Sequence, residues 1–264
     1  MSDEKVLYER DGAVAIMTLN RPESMNAMDG DLLDQLVGYG QQAADDPEVR
    51  AVMVTGNGRA FCAGGDVKGM AERNEGGGGL VDRRETLRQQ EEISRLLFEM
   101  PKPTLAALNG VAAGAGLSVA LAADLRIASD QARLTTAFAR VAFSGDFGGT
   151  WLLQRLVGPS KARELYFLSS MLSAQEALDL GLVNRVAPHD SFMEEAKGLA
   201  RELAAGPTLA FGRMKENFVF GATNTFGDTL TKEADNMVAS GKTEDHKAAA
   251  AAFVEKREPT FIGR

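Results

Sequence analysis

Asp146 is the residue whose placement in this sequence first suggests chemistry. It lies in the glycine-rich stretch SGDFGGT, residues 144–150, just before the apolar run that starts at Trp151. Asp is common at helix N-caps, so capping is the simplest interpretation of its side chain. A carboxylate at the mouth of an apolar helix can also act as a catalytic base, which general acid–base chemistry requires. The local pattern leaves both interpretations open.

Two glycine-rich turns could supply the other half of a reaction centre. They are GNGRAFCAGGDVKGM (residues 56–70) and NGVAAGAGLSVALAAD (residues 109–124), and each follows an apolar strand and leads into a predicted helix. Backbone N–H groups at such junctions lack helical partners and favour negative charge. Two amides from different turns, aimed at one carbonyl oxygen, would form an oxyanion hole. Tight packing of small side chains is the alternative.

Other sites that glycine-rich turns often form do not fit these residues. In GAGLSV, Val119 occupies the third glycine position of a dinucleotide-binding fingerprint. Ala120 occupies the last glycine position of a nucleophile elbow around Ser118. The sequence therefore disfavours a nicotinamide cofactor and a serine nucleophile at this turn.

Composition and charge limit the classes of function that this protein can have. The chain of 264 residues has a net charge of −8 and no basic run longer than two residues, which disfavours nucleic-acid and anionic-membrane partners. One cysteine, Cys62, allows no intrachain disulfide, and His189 and His246 lie too far apart in sequence to suggest a metal site. The amino-terminal stretch is polar and no long apolar run follows, so we expect a cytoplasmic protein.

The elements that would position these groups alternate between strand and helix. Asp11-Gly12 between two apolar runs predicts a hairpin, while AVMVTG and LRIAS are apolar strands typical of a sheet covered on both faces. Residues 81–99 predict one charged amphipathic helix, and from about residue 190 the pattern is entirely helical. Alternation predicts parallel pairing with right-handed crossovers, so the helical tail must pack elsewhere, on the first part or on a neighbouring subunit.

Several stretches are informative as an ordered set. They are LNRPESMNAMD, RAFCAGGDVKGM, KPTLAALNGVAAGAGLSVALAADLRIAS, GGTWLLQRLVG, LSAQEALDLGLVNRV and FVEKREPTFIG. In this order they resemble the crotonase superfamily, also called the enoyl-CoA hydratase/isomerase superfamily, over essentially the whole chain. The first stretch is similar to the family's first CoA-contacting turn, and the next two are similar to its two oxyanion loops.

This resemblance implies a fold, an assembly and a substrate class. The implied fold is α/β: a crotonase-like ββα spiral that binds acyl-CoA over residues 1–195, and a helical trimerisation region over residues 196–264. The implied assembly is a homotrimer or hexamer. The implied substrate is an acyl-CoA whose thioester enolate is stabilised by two backbone N–H groups, carried over by position to Gly65 and Ala115. No cofactor is implied, because CoA is part of the substrate.

The resemblance also places substrate contacts along the chain. It sets Asp66, Val67 and Lys68 beside the adenine and pantetheine of CoA. Phe147 and Trp151 are candidates for the acyl pocket, although core packing explains both equally well. The predicted substrate-binding residues are Met25, Ala63, Gly65, Asp66, Val67, Lys68, Ser118, Phe138, Phe147 and Trp151.

Departures from the family pattern decide which activity is implied. Family hydratases carry two glutamates that activate a water, and Ser118 and Phe138 stand at those positions here. Adding water needs a group that moves protons, which Phe138 cannot do. Family isomerases often carry a single acid in the turn before the GG helix, and that position is Asp146. We therefore predict an isomerase that shifts a double bond, or rearranges a related unsaturated or epoxide thioester, with Asp146 as the acid/base.

Two alternative functions remain open at this stage. One is a hydratase in which Asp146 and polar neighbours such as Ser144, Thr135 or Thr136 hold a water. The other is a non-catalytic CoA-thioester binder in which Asp146 is only a helix cap.

Glu23 departs from the family pattern on the CoA side. Family members often place a Lys there, near the CoA phosphates, and an acid would repel them. The phosphate contacts must therefore come from other cations. The candidates are Arg59, Lys68, Lys215 and Lys256.

Overall fold

The structure, a computed structural model, describes residues 4–66 and 80–264. Its strands are β1 (Val6–Asp11), β2 (Val14–Leu19), β3 (Ala51–Gly56), β4 (Ala60–Cys62), β5 (Thr104–Leu108), β6 (Val111–Ala113), β7 (Leu125–Ser129), β8 (Arg133–Thr135), β9 (Leu172–Ser173) and β10 (Arg185–Ala187). Its α-helices are α1 (Gly30–Asp45), α2 (Leu80–Gln90), α3 (Glu92–Glu99), α4 (Ala115–Ala122), α5 (Gly149–Val157), α6 (Pro159–Leu168), α7 (Ala174–Asp179), α8 (Phe192–Ala205), α9 (Thr208–Gly221), α10 (Phe226–Ser240) and α11 (Glu244–Val254).

The strands form two sheets that the chain builds in alternation. One sheet has the order β1-β2-β3-β5-β7-β10 and the other has the order β4-β6-β8-β9. The consecutive pairs β3/β4, β5/β6 and β7/β8 each give one strand to each sheet. The pairs β1/β2 and β8/β9 are antiparallel and the remaining pairs are parallel. This repetition is the predicted ββα spiral, and the predicted α/β fold is confirmed.

The larger sheet is buried on both faces, which explains its continuous apolar strands. In β3, Val52 and Val54 face one hydrophobic cluster, while Ala51 and Met53 face a second cluster beneath α8. Parallel strands covered on both sides are typically apolar at every position. Helix α8 covers the sheet and therefore packs as part of the spiral. The predicted domain boundary at residues 195/196 falls inside this helix.

The local predictions succeed where the signal lies in a few adjacent residues. The Asp11-Gly12 hairpin is confirmed: Asp11 pairs with Val14, and Gly12 has a φ of 59°, a left-handed value that glycine adopts easily. The single helix predicted for residues 81–99 is wrong. The chain forms α2 and α3 instead, separated at Glu91. In the described part of the chain, no helix is both long enough and apolar enough to span a membrane.

Helices α9 to α11 expose a surface that suits a neighbouring copy of the chain. Their large apolar side chains Phe218, Phe226, Met237 and Phe253 are between 73% and 84% exposed. Contiguous apolar exposure of this kind is rare on a monomer.

We expect the chain to assemble through this helical region as a trimer or a hexamer. Assembly would remove the exposed Phe and Met side chains from water, which is the main driving force of most subunit association. Sedimentation velocity at micromolar concentration measures the assembly directly. The substitution Phe253→Glu should shift the distribution towards smaller species, and a stable wild-type monomer would contradict the expectation.

Candidate active site

The two glycine-rich turns meet in space, because their glycines allow a close approach. Gly64 has a φ of 102° and Gly114 a φ of 53°, values that disfavour residues with a Cβ. A Cβ on Gly64 would lie 3.0 Å from the Ala113 carbonyl oxygen and 3.7 Å from the Ala115 nitrogen. The small residues of the two turns therefore allow their backbones to lie side by side.

Each turn presents a backbone amide that is not used by the fold. The amide of Met28 donates to Gly64 O (2.8 Å) and Asp66 N donates to Met28 O (3.0 Å), so the intervening Gly65 N–H points away from this pairing. Ala115 is the first residue of α4, where N–H groups have no helical acceptor. Neither amide donates to another backbone group in the described residues. Two such donors on touching turns have the form that an oxyanion hole requires.

Cys62 supports this arrangement by packing rather than by reactivity. A Cβ on Gly116 would lie 2.6 Å from the Cys62 Cβ, so α4 can approach β4 only through a glycine. The Cys62 thiol is fully buried and donates to Asn26 O over 3.1 Å. Burial raises its pKa to about 12, which leaves it protonated and unreactive. Cys62 is therefore a small buried side chain beside this loop.

The Asp146 side chain does not cap the following helix. The N-cap of α5 is Gly148, without any side-chain cap bond, and the main-chain oxygen of Asp146 accepts from Gly149 N (3.0 Å). The capping interpretation is therefore wrong. Within the described residues, the buried Asp146 Oδ1 has no hydrogen-bond partner. Burial, reinforced by the negative charge of Glu91, raises the pKa of Asp146 to about 6.

Glu91 and Tyr166 are two residues near Asp146 that the sequence interpretation missed. Glu91 Oε1 accepts a hydrogen bond from Phe147 N at 2.9 Å, across a separation of 56 residues. The hydroxyl of Tyr166 would lie 3.5 Å from a Cβ placed on Gly145. Neither residue belongs to a motif, so only tertiary structure brings them to the Asp146 turn.

The positions of the two family glutamates hold a neutral, packed cluster. The Phe138 and Tyr166 rings stack with centroids 5.8 Å apart. Burial raises the pKa of Tyr166 to about 12, although the neighbouring Ser118 hydroxyl opposes the rise. A Cβ on Gly149 would lie 2.2 Å from Ser118 Oγ and 2.5 Å from the Tyr166 hydroxyl. No group of this cluster is an acid or base at neutral pH.

An apolar cavity lies beside Phe147 and Gly148, which follow Asp146 in its turn. Phe147 and Trp151 line a cavity of about 270 Å³ together with Phe98, whose ring meets that of Trp151 edge to face at 5.3 Å. A neighbouring cavity of about 600 Å³, between α5 and α9, shares Phe98, Trp151 and Leu152. The geometry is compatible with the predicted acyl-pocket role of Phe147 and Trp151, which stays a prediction.

The predicted CoA-side residues are only partly described. Met25 adopts a left-handed φ of 54°, and its carbonyl accepts from Ala63 N at 3.0 Å, which joins the predicted CoA-contacting turn to the first glycine-rich turn. The Asp66 carboxylate forms an ion pair with Arg21 at 3.2 Å. Val67 and Lys68, like the glycine run at residues 76–79, lie outside the described residues.

One candidate phosphate ligand is excluded by its surroundings. Lys215 is buried, and its Nζ donates to Leu97 O and to Asp124 Oδ2, both at 2.7 Å. This lysine anchors α9 to the spiral and has no access to a CoA phosphate, so that prediction is wrong. Arg59 and Lys256 are exposed and stay candidates.

Comparison with known proteins agrees with this geometry over the whole chain. The family model described as enoyl-CoA hydratase/isomerase matches residues 9–264. The chain is 36% identical over 263 residues to the 1,2-epoxyphenylacetyl-CoA isomerase of Escherichia coli (strain K12), covering 99% of both chains. It is 34% identical to the short-chain-enoyl-CoA hydratase of Clostridium acetobutylicum, covering 98% of this chain and 97% of that protein.

Solved structures give the same result for the fold. The crystal structure of an enoyl-CoA hydratase from Polaromonas sp. JS666 superposes with a TM-score of 0.92 at 32% identity, covering 97% of this chain and 99% of that one. An enoyl-CoA hydratase from Bacillus anthracis superposes with a TM-score of 0.90 at 31% identity, covering 98% and 100%. Together with the family match along residues 9–264, these likenesses show that the chain belongs to the enoyl-CoA hydratase/isomerase family.

Proposed function

We propose that this protein is an acyl-CoA isomerase that moves a double bond, or rearranges a related unsaturated or epoxide thioester, with Asp146 as its acid/base. The observation that carries the proposal is the buried, unpartnered Asp146 Oδ1 in the turn that borders an apolar cavity. Its pKa of about 6 lets the carboxyl both accept and return a proton near neutral pH. The isomerase from Escherichia coli supports this choice as a relative.

The proposed reaction uses two backbone amides and one carboxyl. The thioester oxygen binds between the N–H groups of Gly65 and Ala115. The Asp146 carboxylate removes a proton from the α-carbon of a 3-enoyl thioester, and the C–H electron pair moves into a conjugated dienolate with its charge on that oxygen. Asp146 then returns the proton to the γ-carbon, which gives the conjugated 2-enoyl product. The amides matter most while the oxygen is negatively charged, which is how they lower the barrier.

Hydration is the second candidate function. One specific observation favours it: Glu91 gives the site a second carboxylate near Asp146. Water activation in the family uses two acids. Against it, the Thr135 and Thr136 hydroxyls donate to the carbonyls of Ser169 and Leu165, at 3.1 and 2.8 Å, instead of facing a water. Some relatives are named hydratases, so the assay must compare both reactions.

Purified protein assayed with 3-enoyl-CoA and with 2-enoyl-CoA of several chain lengths separates the candidates. An isomerase converts the 3-enoyl compound to the conjugated product, whereas a hydratase consumes only the 2-enoyl compound. A non-catalytic binder gives neither product, yet CoA still raises its Tm by mass action. Absence of turnover together with an unchanged Tm at millimolar CoA would contradict both the isomerase and the binding hypothesis.

A further inference from the structure

Glu91 lies at the junction between α2 and α3, within reach of the Asp146 turn. Glu91 is the N-cap of α3, with φ −65° and ψ −11°. Its amide donates to Leu87 O at 2.8 Å, and its carbonyl accepts from Ser94 N at 2.9 Å, so the backbone stays hydrogen-bonded through the junction. The Glu91 side chain reaches the Asp146 turn, where its Oε1 accepts from Phe147 N at 2.9 Å.

The Asp146 turn has a conformation that needs such a support. Gly145, Phe147 and Gly148 have φ values of 108°, 51° and 74°. A left-handed φ is easy for glycine and unfavourable for phenylalanine. The hydrogen bond from the Phe147 amide to a carboxylate, which is stronger than one to a neutral group, offsets this strain. The peptide that joins Asp146 to Phe147 is therefore fixed by Glu91.

We propose that Glu91 is a positioning residue for Asp146, one that fixes its turn through the Phe147 amide and holds a second carboxylate beside it. The inference rests on the proposed function, in which Asp146 is the acid/base. Within the described residues neither carboxylate forms an ion pair with a cation. Two neighbouring carboxylates without a counter-ion resist ionising together, so one keeps its proton to a higher pH.

The surroundings of the two carboxyl groups differ. Glu91 accepts from the Phe147 amide and lies at the N-terminus of α3. Asp146 Oδ1 has no such donor in the described residues. Among the described residues, the remaining titratable group that faces Asp146 is Tyr166 from α6, which stays neutral because its pKa is about 12. Ser118 from α4 is uncharged. Glu91 is therefore held by a backbone donor, and Asp146 is the carboxyl group that is left free to exchange protons with a substrate.

The pH dependence of kcat/KM for isomerisation, measured on wild type and on two substitutions, tests this role. In wild type the rate should rise with pH around 6, where Asp146 becomes a carboxylate. Glu91→Gln removes the charge but keeps an oxygen that accepts from the Phe147 amide. Its pH midpoint should move lower, while its high-pH plateau stays within about threefold of wild type. Glu91→Ala also loses the hydrogen bond, so its plateau should fall about tenfold.

The neighbouring carboxylate provides a matched control. Glu92→Gln makes the same change of charge one residue away, but Glu92 pairs with Arg95 and, among the described residues, makes no hydrogen bond or ion pair with the Asp146 turn. Its pH midpoint and its plateau should equal those of wild type. An unchanged midpoint in Glu91→Gln, or an equal shift in Glu92→Gln, would overturn the coupling of the two carboxyl groups, and an unchanged plateau in Glu91→Ala would overturn the positioning role.

A measurement without substrate separates this inference from the proposed function. Asp146→Asn is introduced into wild type and into the Glu91→Gln variant, and the Tm increase that it causes in each background is measured at pH 4 and at pH 7. We expect this Tm increase to be larger at pH 7 than at pH 4 in wild type. The difference between the two pH values should be smaller in the Glu91→Gln background, because the neighbouring charge is gone. Equal gains in both backgrounds refute the coupling. Coupling without isomerase turnover supports this inference and refutes the proposed function alone.

Discussion

Replacing Asp146 by Asn is expected to lower isomerase turnover by about two to four orders of magnitude, the usual effect of losing a positioned general base. Asn has nearly the same shape but cannot exchange a proton with the substrate carbon. Affinity for the CoA thioester should hold, because the Gly65 and Ala115 amides are unchanged. Single-turnover isomerisation by the folded variant measures the chemical step without product release.

The same variant should be more stable than wild type above neutral pH. The folded pKa of Asp146, about 6, lies above its ordinary value of 3.8, so ionisation destabilises the fold. This penalty is absent below about pH 4, builds as the pH rises to about 6, and persists above it. Asn carries no charge and avoids it, so we expect a gain of about 1 to 2 kcal/mol at pH 7, after allowance for partial solvent screening, and none at pH 4.

The control for this pair of effects is an exposed aspartate. Asp179→Asn keeps the hydrogen bond from Gln175 on the surface of α7 and should alter neither turnover nor the pH dependence of stability. A folded Asp146→Asn variant that isomerises at the wild-type rate would show that Asp146 is not the acid/base. Lost turnover combined with higher stability at pH 7 is the signature of a buried catalytic carboxyl, and a helix cap would produce neither effect.

The sequence predicts the fold well because its signals are local or periodic. The Asp11-Gly12 hairpin, the strand AVMVTG and the paired glycine turns depend on adjacent residues, and the structure contains all three. The short strands β4 and β6 were not predicted, because each has three residues inside a turn and no alternation of its own. Period-based patterns cannot separate so short a strand from a loop.

The surroundings of Asp146 could not be predicted in the same way. Capping and catalysis both need an Asp before a helix, so the sequence cannot choose between them. The choice depends on the missing cap bond and the burial of Oδ1, both of which are tertiary properties. Glu91 lies in an unbroken helical pattern, and its contact with Phe147 spans 56 residues. The residue types around Glu91 do not indicate that a helix ends there, because charged residues are common both in helices and at their ends.

Ala115 gives the second large expected effect. Ala115→Pro removes the amide that would face the thioester oxygen. Proline is tolerated at the first position of a helix, which Ala115 occupies in α4, so the helix itself should survive. The matched control is Glu244→Pro, which places proline at the exposed first position of α11, far along the chain from both turns. This control should retain nearly full turnover. The change in its Tm measures how much stability is lost when a proline is placed in the first turn of a helix.

Loss of one oxyanion donor typically costs about 2.7 to 4 kcal/mol of transition-state stabilisation, so turnover of Ala115→Pro should fall by at least about a hundredfold. The fall should appear in kcat more than in KM, because the amide binds the enolate oxygen more strongly than the ground-state carbonyl. Gly65→Pro should give a similar loss if the two amides share one oxygen. Combining both substitutions should cost less than the product of the single effects, since each one already disables the hole. Near-normal kcat in a folded Ala115→Pro variant would place the oxyanion hole elsewhere.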